Sequence, residues 1–392
     1  MSKLFNRSLL MLLIMQFLVM VGFGIVIPIL PYFITKLGGG AFSLGVFMSV
    51  YSIMQFIFAP VWGKLSDRIG RKPVLLIGLG GYGVTFIMFG MISNLYLLII
   101  LRALAGFASS ATLPTAMAYL ADITTGSDRS KGMGMLGASM GLGMIFGPAL
   151  GGWLGEYSFS VPFFVAGGLA LLLLPFTWLL LPESLQKNSG GAGNQRAKLT
   201  LNVIRDPLFA LFLYNFSISF TMSIFESTFT LLAAAKVGFG PGNMGITFAI
   251  LGVFAVIVQG MLIGRLVKKF NEASLTNFGA VLSAVGLILI ILFGNAVLLV
   301  LSAAVFMIGN SLMKPTTSSL VSKQNSQGQG SSLGFFQAFG SLGRVFGPIL
   351  GGALFEIKMG LPYIVAAIFM LLIAALIGSK IDLKVKERLV QE

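Results

Sequence analysis

The chain has no cysteine and no histidine among its 392 residues. Without thiols there is no disulfide and no thiolate nucleophile. Without imidazole there is neither the commonest metal ligand nor the usual proton carrier near neutral pH. Any proton chemistry must therefore run through carboxylates. Charge is scarce as well: 10% of residues are charged, against about 25% in a soluble domain. What the chain has instead is 56% hydrophobic residues and a mean hydropathy of +0.96. So little polar surface cannot clothe a fold in water. Lipid can solvate it, with about 20 apolar residues per helical crossing. No His/Cys catalytic set, metal-ligand spacing or phosphate-cradling loop is present. A membrane-embedded enzyme is not supported, and no cofactor or metal is expected.

The net charge of +14 would suit a nucleic-acid binder. The basic residues, however, sit in short loops between apolar runs, so their excess reads as membrane topology and no nucleic-acid partner is expected. The runs predict spans at 8–35, 43–63, 73–92, 95–121, 132–155, 161–181, 207–236, 243–263, 275–294, 296–322, 331–356 and 360–380. The first is read as a span and not a cleaved signal, because no small-residue cleavage site follows a short core. With both termini inside, only Lys36, Lys236 and Lys358 of the 26 Lys and Arg fall on the outer side. Arg102, Lys314 and Arg344 lie within spans, and the rest are cytoplasmic. The positive-inside rule thus predicts a multi-pass protein of the cytoplasmic membrane with both termini cytoplasmic.

The longest polar stretch, PESLQKNSGGAGNQRAKLTLNVIRD at 182–206, reads as a flexible linker. It separates two halves that are related. GLGMIFGPALGG at 141–152 returns as SLGRVFGPILGG at 341–352, and Glu156 and Pro162 return as Glu356 and Pro362. A weaker echo joins GKLSDRIGRK at 63–72 to GRLVKKFNEA at 264–273. The expected architecture is an all-α polytopic membrane protein of twelve helices in two pseudo-symmetric six-helix bundles, 1–181 and 207–392. Internal duplication of this kind is a common plan for transporters that alternate access around a central site.

Four segments in order carry a family resemblance: GFGIVIPILP at 22–31, GKLSDRIGRKP at 63–73, LRALAG at 101–106 and GMIFGPALGG at 143–152. Together they resemble the major facilitator superfamily, and within it the twelve-helix drug/proton antiporters of the quinolone- and tetracycline-exporter type. The resemblance covers nearly the whole chain in span order and spacing. It implies that the loop 63–73 is a conformational latch, with Gly63, Asp67, Arg68, Gly70, Arg71 and, at the end of span four, Asp122. Physically, Gly63 and Gly70 permit close helix approach and a tight turn, and Asp67 can cap a helix or pair with Arg68 or Arg71. A simple positive-inside anchor is the plainer role for Lys64, Arg71 and Lys72. The second-half copy of the loop lacks the acid, which weakens any latch there. Resemblance marks Gly143, Gly147, Pro148, Gly151 and Gly152 as the antiporter motif. Their small-xxx-small spacing also suits plain helix packing, and the second copy shows that packing is part of its purpose. Arg102 sits in the family's coupling context; its plainer role is a buried arginine bonding freed carbonyls.

An ionisable side chain at bilayer depth is a functional candidate by default. Of the twelve acids only Glu226 lies well inside a span. Burial raises a carboxyl pKa and a nearby cation lowers it, so such a group can load and release a proton or attract a cationic solute. The alternative is a structural ion pair with Lys314 or Arg344. Asn310 and Ser311 stand near Lys314 where some relatives carry an acid, which disfavours a two-carboxylate scheme. Embedded cations outnumber the embedded acid, so anionic or zwitterionic solutes fit the charge balance as readily as cations. Glu156 and Glu356 read as interface residues at the outer helix ends. With 35 Phe and 20 Met, an aromatic, adaptable pocket is expected. The central spans select Met20, Phe23, Tyr51, Gln55, Met140, Met144, Glu226, Met307, Asn310, Lys314, Phe336 and Gln337 as its wall.

These features favour proton-coupled efflux of small lipophilic or amphiphilic drug-like molecules by a monomer in the lipid bilayer, with protons as co-substrate and the proton gradient as energy source. A narrow exporter of a tetracycline-like compound, sugar or metabolite, or an uncoupled facilitator, uses the same scaffold. A channel fits poorly, because duplicated halves, a latch loop and Gly-rich interfaces suit rocking motion.

Overall fold

The computed structural model describes residues 7–185, 208–324 and 329–389. Most of the expected linker, with Lys187, Arg196, Lys198 and Arg205, lies outside the described residues, as do Lys3 and the side chains of Lys380, Lys384, Lys386 and Arg388. The described residues are helical from end to end: α1 (Arg7–Val26), α2 (Leu30–Lys36), α3 (Ala41–Ile69), α4 (Arg71–Met91), α5 (Leu95–Ser109), α6 (Thr112–Ile123), α7 (Gly126–Tyr157), α8 (Val161–Leu180), α9 (Phe209–Val237), α10 (Pro241–Ile257), α11 (Ile263–Lys269), α12 (Glu272–Leu292), α13 (Ala296–Gln324), α14 (Gln329–Ile357) and α15 (Leu361–Leu389). Eleven stretches are long and apolar enough to cross a membrane, and Leu361–Ala375 is a shorter apolar helix within α15. The protein is an all-α, multi-pass membrane protein.

Three expected continuous spans are interrupted. The first breaks between α1 and α2, where Pro28 has no N–H to donate and Pro31 opens the second helix. The chain crosses the gap on short-range bonds, Ile27 N–H to Gly24 O and Ile29 N–H to Val26 O, both 3.2 Å. The fourth breaks at Ser110–Ala111, four residues before Pro114. The hydroxyls of Ser109, Ser110 and Thr112 turn back onto the carbonyls of Gly106, Phe107 and Ser109 there. The eighth carries a π-turn at Val258–Leu262 between α10 and α11. Elsewhere asparagines start helices: Asn94 Oδ1 accepts the N–H groups of Tyr96 and Leu97, and Asn271 Oδ1 that of Ser274. Gly238, left-handed at φ 67°, ends α9.

Two compact units result: residues 1–39, 46–192 and 239–252 in one, residues 40–45, 193–238 and 253–392 in the other. In the first unit α1 packs along α7, and α4 along α8. The α1/α7 seam is a backbone-to-backbone contact. A methyl group on Gly143 would meet Phe17 O, and one on Gly147 would meet Val21 O and Gly24 Cα at 2.6 and 2.8 Å. The second unit repeats the device. Gly343 meets Phe216 O and Phe220 N, and Gly347 meets Phe220 O, along α9/α14. Its core gathers Leu211, Phe212, Tyr214, Met313, Phe336 and Met370.

Candidate functional site

In the first unit Arg71, the opening residue of α4, is the centre of the charge cluster formed by the loop 63–73. Its guanidinium reaches Asp67 Oδ1 at 2.5 Å, Asp122 Oδ2 at 3.1 Å and Ser66 Oγ at 2.6 Å. Of the two expected partners for Asp67, Arg71 is the one taken, and Arg68 is exposed. Asp122, at the end of α6, also accepts from Ser184 Oγ at 3.0 Å. Arg71 is buried while Asp67 is 61% exposed and Asp122 28%. The Asp67 contact is therefore worth about 0–1 kcal/mol, and Asp122 is the stronger partner. Gly70 makes the tight turn at φ 108°, a conformation that favours glycine. Gly63 does not serve close approach: no atom lies within 4 Å of where its Cβ would sit.

A residue that the sequence reading passed over completes this loop. The Glu183 carboxylate accepts the backbone N–H groups of Arg71 at 2.8 Å and Lys72 at 3.1 Å, and so caps α4 from 112 residues away. Tyr119 Oη donates to Pro182 O beside it at 2.7 Å. No local signal links these positions, since the cap and the helix meet only in three dimensions.

The second copy of the loop lacks the acid of Asp67, with Lys268 in its place, yet it forms an ionic junction of its own. The echo of 63–72 at 264–273 sets Glu272 opposite Arg71. Glu272, 9% exposed, pairs with Lys323 Nζ at 2.8 Å and accepts from Ser319 Oγ at 2.7 Å. The pair is the charge-reversed counterpart of Arg71–Asp122, visible in the sequence only when an opposite sign is allowed at the repeat.

Arg102 is buried in the first unit, at 4% exposure. Its guanidinium carbon lies 4.2 Å from the Tyr51 ring centroid and 5.1 Å from that of Phe47. No carboxylate pairs with it among the described residues, and its Nε has no hydrogen-bond partner. Aromatic faces hold this cation, at about 2 kcal/mol or more when desolvated. Gln55 Nε2 donates to Tyr51 Oη at 3.2 Å and Ser109 Oγ at 3.3 Å, and Phe23 stacks obliquely on Tyr51 at 5.8 Å. Phe23, Tyr51, Gln55 and Arg102 therefore form one cluster. Met20, Met140 and Met144 are half-buried on α1 and α7.

In the second unit Glu226 on α9 is half-buried, with Arg344 on α14 and Lys314 on α13 as its charged neighbours. The expected alternative of a structural ion pair is not met: no N–O distance of 4.0 Å or less joins them among the described residues. Lys314 is exposed, and Arg344 donates to Ser341 Oγ at 2.9 Å. Asn310 and Met307 share the α13 face with Lys314, and Asn310 Nδ2 donates to Ile218 O at 3.4 Å. Gln337 is exposed, while Phe336 is sealed in the core, where its carbonyl accepts from Asn215 Nδ2 at 2.6 Å. Glu356 Oε1 accepts the Phe42 N–H at 2.9 Å, and Glu156 abuts Gly242 in the first unit.

The arrangement described is that of a membrane transporter, with embedded charges, glycine seams and a buried ionic junction in each unit. The Major Facilitator Superfamily description matches residues 12–326 and 260–389. The chain belongs to that superfamily. It is 32% identical over 364 residues to multidrug resistance protein 1 of Bacillus subtilis (strain 168), covering 93% of each chain. It is 28% identical over 361 residues to the quinolone resistance protein NorA of Staphylococcus aureus (strain COL), covering 92% of this chain and 93% of that one. A bacterial homologue of the human lysosomal transporter Spinster, solved inward-facing and occupied, has the same fold: TM-score 0.81 at 14% identity, over 95% and 96% of the two chains.

Proposed function

We propose that the chain exports small lipophilic or amphiphilic molecules across the cytoplasmic membrane in exchange for protons, by alternating access of two halves, 1–181 and 207–392. Both termini face the cytoplasm, as the distribution of Lys and Arg supports. Glu226 carries the reading: it is the one acid set deep in a span, it lies beside two cations, and it is locked to neither. A carboxylate so placed can hold a proton in one state and, once that proton has left to the cytoplasm, take cargo in its place; competition of proton and cargo for one group is the simplest form of exchange. Arg102 takes the second coupling role, held on the Tyr51 and Phe47 faces. Arg71, Asp67 and Asp122 act as the latch, and the glycines of 143–152 as the bearing surface. Cargo contacts are assigned to Met20, Phe23, Tyr51, Gln55, Met140 and Met144 in the first unit and to Met307, Asn310, Lys314 and Gln337 in the second; Phe336, sealed in the core, drops out of the expected set. The names of the relatives, multidrug and quinolone resistance proteins, support a drug-like cargo.

The test is efflux of lipophilic dyes from proteoliposomes under an imposed proton gradient. Glu226→Gln is expected to reduce gradient-driven efflux at least tenfold and to leave gradient-independent exchange in place. Undiminished pumping by Glu226→Gln would overturn the proton reading. Transport by the unaltered chain that ignores the gradient would leave an uncoupled facilitator.

A further inference from the structure

The second unit holds two embedded cations that packing does not require. The repeat shows this directly. Arg344 stands where the first half has Met144, inside otherwise matching motifs. Lys314 precedes Pro315-Thr316 as Leu113 precedes Pro114-Thr115. The first half closes the same seam and carries the same proline with apolar side chains at both places. The two cations are therefore additions to the scaffold.

Their surroundings differ from those of the chain's other inward cations. Arg71 is paired with Asp122, Lys236 donates to the carbonyls of Ile290, Ile291 and Phe293, and Arg102 lies on aromatic rings. Lys314 forms no hydrogen bond or ion pair among the described residues and keeps an exposed side chain in the middle of an apolar helix. Arg344 has one bond to Ser341 and no carboxylate partner there. Among the described residues Glu226 is the acid beside them. With Glu226 ionised the group carries one excess positive charge, and with it protonated, two. An excess charge becomes costly when cargo or closure shuts water out, unless a counter-charge arrives, and an arginine fork with an ammonium is a donor set that suits a carboxylate or sulfonate.

We propose that Lys314 and Arg344 form an anion subsite that takes the carboxylate or sulfonate of an amphiphilic cargo, while Glu226 handles its cationic end or a proton. The subsite rests on the export reading given above and names the cargo class.

Binding tests this without a gradient. The full chain, in nanodiscs of phosphatidylcholine, is titrated with three probes on one scaffold: 11-(dansylamino)undecanoate, its methyl ester, and dansylcadaverine. The carboxylate is expected to bind at least tenfold tighter than the ester. Lys314→Gln and Arg344→Gln each remove that advantage by weakening the carboxylate more than the ester, Lys314→Arg restores it, and Glu226→Gln weakens dansylcadaverine more than the other two probes. Equal binding of carboxylate and ester to the unaltered chain overturns the subsite, as does an equal loss of both in Lys314→Gln. A second arm adds phosphatidylglycerol: if the carboxylate advantage then vanishes, the cations serve a lipid headgroup and the cargo proposal falls. Loss of proton-driven efflux with probe binding intact would sink the export reading alone.

Discussion

Two junctions at matching places in the repeat solve one problem with opposite charges. At the start of α4 the buried partner is a cation, Arg71, with Asp122 across from it. At the start of α12 it is an anion, Glu272, with Lys323 across from it. A helix N-terminus favours negative charge by about 0.3–1 kcal/mol and disfavours positive charge correspondingly. Glu272 thus sits at the favourable end, and Asn271 caps the helix locally. Arg71 and Lys72 sit at the unfavourable end, and Gly70 offers no side-chain cap. That end is satisfied by Glu183, carried in from beyond α8. The second junction is self-sufficient. The first depends on Glu183, in the segment that leads out of α8, to satisfy its helix start.

The comparison can be broken at its strongest contact. Asp122→Asn should cost about 3–5 kcal/mol, because it leaves a buried guanidinium with one exposed acid. Lys323→Gln should cost less, since Lys323 is 64% exposed and water already screens its pairing with Glu272. Thermal unfolding of the two variants in the same detergent checks the order, and equal shifts would erase the asymmetry. Glu183→Gln should come next, at about 0.5–2 kcal/mol for a helix cap carried by an exposed side chain. Its readout is local: hydrogen exchange at the amides of Arg71 and Lys72 should accelerate while that of Ser274 stays unchanged. The smallest effect belongs to Asp67→Asn, at most about 1 kcal/mol, since its carboxylate is 61% exposed and already hydrated. A change in unfolding as large as that of Asp122→Asn would reverse the ranking of Arg71's partners.

The amino-acid sequence alone determined the broad plan. Apolar runs, sparse charge and the basic loops follow from the need to satisfy lipid and its interface, and these are local properties of a stretch of chain. The glycine seams were legible too, because both copies of the motif carry them at fixed spacing. So was Glu226 as a candidate, by its isolation among apolar residues. Three things belonged to the tertiary structure. Pro28 and Pro114 are plain in the sequence, yet whether a proline bends or breaks a helix depends on what can satisfy the freed carbonyls. Glu183 and Lys323 are unremarkable polar residues until folding brings each to a helix start 112 or 51 residues away. Lys314 and Arg344 read as pairing partners for Glu226, and only the folded helices set them near it but apart. Charges act through space, and the distances between them are fixed by helix packing and not by their order along the chain.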